Sequence, residues 1–137
     1  MPQTDKHFDI IEDNHSALAH LANPEPSKYT NWCVTIIFYM ALHYIHAYLA
    51  KISNQHPDSH AALQPLIQKD SKLSPLYTKY RHLEDDSRKA RYDGEKFTIP
   101  QMRNESIKWF KDIQSSIFSL LKIKNRQELD LYSLFPL

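Results

Sequence analysis

The hydrophobic pattern is densest in residues 29–50, YTNWCVTIIFYMALHYIHAYLA, a stretch without Asp, Glu, Lys or Arg. At 3.6 residues per turn, Trp32, Ile36, Tyr39, His43, His46 and Ala50 fall on one helix face. Cys33, Ile37, Met40, Tyr44, Ala47 and Tyr48 fall on the neighbouring one. A helix apolar nearly all round is either the centre of a bundle or a membrane span. Asn31, the two histidines and Tyr29, Tyr39, Tyr44 and Tyr48 argue for the bundle, because polar groups are costly in a bilayer core. Pro26 and Ser27 mark the start of this helix, and the polar run KISNQHP from Lys51 marks its end.

The rest of the pattern predicts helices that cover this one. Over residues 5–21, Phe8, Ile11, His15, Leu18 and Leu21 or Ala22 recur at helical spacing, with Asp9, Glu12 and Asp13 opposite. The Asn-Pro-Glu-Pro run at residues 23–26 breaks that helix and turns the chain back. A third helix is expected over residues 58–70, capped by Asp58 or Ser59 and kinked or divided at Pro65. Ser74 and Pro75 open a fourth, to about Tyr92, with Leu76, Tyr80, Leu83, Ser87 and Ala90 as its core stripe. Glu84 and Arg88 stand one turn apart, as a pair on its flank, and Asp93-Gly94 stops it. A fifth helix begins at Thr98 or Gln101 and runs to about Lys122, with Met102, Trp109, Phe110, Ile113, Ile117, Leu120 and Leu121 on a broad apolar face. Residues 123–137 are expected to dock on this molecule or on a second copy. The fold class predicted is all-α, an up-and-down bundle of four to five helices in one domain.

Composition agrees. Gly94 is the sole glycine among 137 residues, and strand-rich folds spend glycine on turns. A net charge of +1 gives no global basic field, so any phosphate site must be local. The single cysteine, Cys33, lies inside the apolar stretch and reads as a small hydrophobe. The N-terminal residues show no apolar run after a basic start, which predicts a cytoplasmic protein without a secretory signal.

No Gly-rich phosphate loop, GxSxG elbow or CxxC pair occurs, so the candidate chemistry rests on histidine, arginine and tyrosine. His43 and His46 lie three apart on the central helix, with Tyr39 one turn before His43; a histidine there can act as a base near neutral pH or be held in the core by a hydroxyl. His56 and His60 have HxxxH spacing, but Pro57 interrupts the helix such a metal site needs, and no metal or other cofactor is assigned. Arg88 and Arg91, in SRKARY, suit recognition of phosphate or carboxylate, or an ion pair with Glu84, Asp85 or Asp86.

The strings WCVTIIFYMALHYIHAYLA, HPDSH and YRHLEDDSRKARY resemble the small stand-alone HEPN-like helical domains of prokaryotes, over roughly residues 8–110. That resemblance implies an up-and-down bundle, often homodimeric. It also implies either a metal-independent endoribonuclease of a defence or toxin–antitoxin type, or a non-catalytic module that binds RNA, a nucleotide or a protein partner. One element departs from the family: no arginine here is followed after four to six residues by a histidine, so the catalytic Arg–His motif is absent. The residues of the resembling elements give the candidate site, with His43, His60, Arg88 and Arg91 as catalytic groups and Tyr39 and Tyr92 as substrate-binding ones.

Overall fold

The computed structural model describes residues 4–23 and 26–137, so Pro24 and Glu25 of the expected helix-breaking run lie outside the described residues. Six α-helices follow one another: α1 (Thr4–Leu21), α2 (Thr30–Ser53), α3 (His60–Lys69), α4 (Tyr77–Arg88), α5 (Ile99–Asn104) and α6 (Ser106–Leu121). Among the described residues there is no strand, and the protein is an all-α bundle.

Helix α2 is its axis. It is long and apolar enough to cross a membrane by composition alone, yet 72% of its most apolar window is buried by the helices around it. Of the residues from Trp32 to Ala50, those left at least partly open are Trp32, Ile36, Tyr39, His43, His46 and Ala50, the first of the two faces that the spacing defines. Everything else on that span is core. Helix α1 runs antiparallel to α2: the Thr4 hydroxyl donates to the Ala47 carbonyl, the Phe8 ring meets Tyr44 edge-on, and Ser27, after the turn, lies against Cys33. Helix α4 is antiparallel to both α2 and α6, with Phe38 on Tyr80 and His82 stacked on Trp109 at 4.7 Å.

Three elements differ from, or decide between, what the sequence pattern allowed. Pro65 does not divide α3, which runs as one helix through it. Leu63 and Ile67 on either side are fixed in the core, and Ala61, whose carbonyl loses its partner, is exposed. The fifth helix is two, because Glu105 takes φ −121° and ψ −81°. Its N–H still bonds Gln101 and its carbonyl still accepts from Trp109, so α5 and α6 form one bent rod. The end of the fourth helix widens into a π segment, Lys89–Asp93, stopped by Gly94 at φ 67°.

The π segment is held by Asn31. Its amide nitrogen donates to the carbonyls of Ala90 (3.2 Å) and Glu95 (2.6 Å), and its side-chain oxygen accepts from the Phe97 N–H (3.2 Å). Three bonds to backbone, two of them partly buried, predict a loss of about 1–3 kcal/mol for Asn31→Ala, measured by urea denaturation. A change below about 0.5 kcal/mol would show that the clamp is ornamental. Residues 123–137 lie on the bundle: Arg103 donates to the carbonyls of Tyr132 and Phe135 (both 3.0 Å), and Leu131 and Phe135 are buried.

Candidate functional site

The open face of α2 is the only part of the central helix that solvent reaches between residues 32 and 50, and three of the predicted site residues lie on or against it. Tyr39 receives a hydrogen bond from Arg91, Nη1 to hydroxyl oxygen 2.7 Å. The same guanidinium lies over the rings of Tyr39 (5.7 Å) and Tyr92 (5.2 Å), a cation–π arrangement on both sides. The π segment makes this possible by widening the last turn of α4, which brings Arg91 against α2 while Tyr92 stays 75% exposed. Arg91 Nε is buried and has no partner among the described residues. Arg88 is exposed and joins none of these groups.

One turn further along α2, His43 opens into a cavity of about 370 Å³. Four histidines from three helices line it: His7 of α1, His43 and His46 of α2, and His60 of α3, with Leu42, Pro57, Asp58, Ser59 and Leu63 between them. His7 Nδ1 and His43 Nδ1 are 2.9 Å apart, and His7 stacks on His46 with the rings 11° from parallel. Burial lowers His7 and His46 to about 4, reinforced in each by neighbouring histidines, and burial also lowers His43. These three rings are neutral at pH 7. A pocket of neutral imidazoles is a set of hydrogen-bonding groups and not an anion trap.

His60 is tied down from behind. Its Nδ1 is 3.2 Å from both the Tyr80 hydroxyl and Glu84 Oε2. Glu84 is 4% exposed and accepts as well from Arg81 (2.6 Å), Gln64 (3.1 Å) and Tyr80 (3.2 Å). The expected Glu84–Arg88 pair therefore does not form, because Glu84 turns inward toward α3 and takes its cation from Arg81. Arg91 likewise pairs with a tyrosine and not with Glu84, Asp85 or Asp86.

Among the described residues, no group of three or more His, Cys, Asp or Glu side chains is arranged to hold a metal ion. A second cavity, of about 300 Å³ between α6 and residues 128–132, has Gln114 as its buried polar side chain. That amide is already committed to the Tyr44 hydroxyl and the Leu129 backbone. The candidate groups among the described residues gather at the histidine cavity and the adjoining Arg91–Tyr39 contact. His7 is the site residue that the pattern reading passed over, although it stands one turn before Ile11 on the buried face of α1.

Fold and site together define a helical bundle with a histidine-lined cavity beside an arginine–tyrosine contact. Compared with protein-family models, with curated proteins and with solved structures, the chain matches none of them.

Proposed function

We propose that this protein is a HEPN-like helical protein that acts on RNA or a nucleotide, working without a metal if it is a nuclease. The single observation that carries this reading is the open face of α2, where Tyr39, which holds Arg91, and His43, which lines the cavity, are one helical turn apart. A guanidinium suits a phosphate oxygen, a neutral imidazole suits a ribose hydroxyl, and the exposed Tyr92 and Trp32 suit the face of a base. Arg88, exposed on the same helix end, supplies a peripheral cation and not a second group at the reacting phosphate.

Incubation of the protein with mixed single-stranded and transfer RNA in EDTA, beside Arg91→Ala after both are shown to be folded, tests the reading. Cleavage is expected to fall by about two to four powers of ten in the variant. A variant that cuts and binds RNA as the parent does would sink the proposal.

A second reading, a non-catalytic binding module for a nucleotide or protein, is favoured by the absent Arg–His motif and by Trp32, 60% exposed beside an otherwise buried helix. In that reading a second copy or a partner covers Trp32. RNA binding without cleavage, or a homodimer by light scattering that Trp32→Ala dissociates, would select it.

A further inference from the structure

We propose that the histidine cavity presents one fixed donor and one fixed acceptor, His43 Nε2–H and His60 Nε2, with His7 and Glu84 as the positioning residues that set the two tautomers. The inference rests on the RNA reading for its ligand, and on hydrogen bonds alone for the tautomers.

The proton on His43 is placed by His7. Two imidazole nitrogens 2.9 Å apart share one hydrogen, so one Nδ1 donates and the other accepts. His7 is 2% exposed, and its other nitrogen, Nε2, is buried without a partner among the described residues. A buried N–H with no acceptor costs more than a bare lone pair. His7 therefore keeps its proton on Nδ1 and donates it, and the neutral His43 carries its own proton on Nε2. That N–H has no partner among the described residues and belongs to a ring that lines the cavity.

The proton on His60 is placed from the other side. The Tyr80 hydroxyl has one hydrogen, which goes to the Glu84 carboxylate. His60 Nδ1 then faces a carboxylate oxygen and a hydroxyl oxygen whose hydrogen is spoken for, both acceptors at 3.2 Å. Nδ1 must be the N–H. When the ring is neutral, Nε2 is a lone pair, on the half-exposed side chain that lines the same cavity as His43. Two histidines held in opposite tautomers by different buried partners make a complementary pair, one able to give a hydrogen bond and the other to take one. A ribose 2′-hydroxyl beside a phosphate oxygen offers the matching set, with the hydroxyl donating to His60 and the oxygen accepting from His43.

Long-range proton–nitrogen spectra of the histidine rings at about pH 7.5 read the tautomers directly. Protonated Nε2 in His43 and protonated Nδ1 in His60 are expected. The same tautomer in both rings overturns the proposal. His7→Asn keeps a donor near the Nδ1 position and is expected to preserve the His43 tautomer, whereas His7→Phe keeps the ring against His46 and is expected to lose it. Unchanged His43 spectra in His7→Phe would remove His7 from its role.

The ribodinucleotide UpA is then titrated beside its 2′-deoxy counterpart. UpA is expected to shift the nitrogens of both rings and to bind about fivefold to tenfold more tightly than the deoxy form, one hydrogen bond's worth. Equal binding, or shifts in neither ring, overturns the ligand assignment. Matching tautomers in a protein that still cuts RNA in an Arg91-dependent way would leave the RNA reading standing and this inference failed. Opposite tautomers in a protein that neither binds nor cuts RNA would do the reverse.

Discussion

Lowering the pH from about 7.5 to about 5 is expected to remove about 4 kcal/mol of folding stability through His7 and His46 alone. Both are held near 4 in the folded chain against 6.5 for a free histidine, chiefly because burial disfavours the imidazolium. The unfolded chain therefore binds more protons between those values. Stability is fully present above about 6.5 and drains away as pH falls toward 4, at about 2 kcal/mol per group by pH 5. His43, also lowered, adds in the same direction.

Asp86 works the other way and serves as an internal control. It is 9% exposed, its Oδ2 has no partner among the described residues, and burial, with Glu105 next in size, raises it to about 6. Its folded form holds a proton that the unfolded chain gives up, so its penalty grows from 3.8 to about 6 and is complete above that. Asp86→Asn is expected to be about 1–3 kcal/mol more stable than the parent near pH 7.5 and to show a steeper acid loss. Urea midpoints followed against pH give both results. His46→Phe, which keeps a ring against His7, is expected to halve the slope; a parent protein equally stable at both ends of the range defeats the account.

Removing the Glu84 side chain is expected to cost about 3–5 kcal/mol. Four groups converge on this carboxylate, from α3 and from its own helix, and Tyr80, fully buried, gives it its hydroxyl hydrogen. Glu84→Ala leaves Arg81 with the distant Asp85 oxygen at 3.7 Å and the Tyr80 hydroxyl with His60 Nδ1 as its one remaining neighbour among the described residues. The exposed part of the network, His60, contributes little of this. Glu84→Gln keeps the volume and two of the geometries, and a loss of about 1–2 kcal/mol is expected. Chemical denaturation separates the variants, and a Glu84→Ala protein within about 1 kcal/mol of the parent would show that the convergence is a surface ion pair in disguise.

How much of this was legible depends on whether a feature lies along one helix or between two. The membership of the open face of α2, from Trp32 to Ala50, follows from a period of 3.6 alone, whereas the packing of the other helices decides which of the two faces stays open. The helix starts at Ser59 and Thr98, each one of two residues that the pattern offered, were equally local, and a capping box with Gln101 settles the second. His7 was not legible, since its partner is 36 residues away and nothing along α1 marks it beyond one turn's distance from Ile11. Glu84 was misplaced for a related reason: spacing puts it on the border of the α4 stripe beside Tyr80 and Leu83. Only the approach of Gln64 and His60 from α3 decides that it turns inward. The π segment is a third case, where Asn31, far off in sequence, holds open a turn that propensity alone would have closed.

The packing of residues 123–137 also sets an order on how the protein is made. Helices α1 and α2 leave the ribosome before α6 and can pair at once, since their contacts are close in sequence. The Phe8 and Tyr44 side of that hairpin is finished by pieces made much later: Phe118, Gln114 and the Arg126 guanidinium, which sits 5.3 Å over the Phe8 ring while bonding Asp9 and Glu12. During synthesis the growing chain therefore carries an uncovered aromatic groove until residues 114–126 emerge, and that interval leaves it open to sticking to other chains.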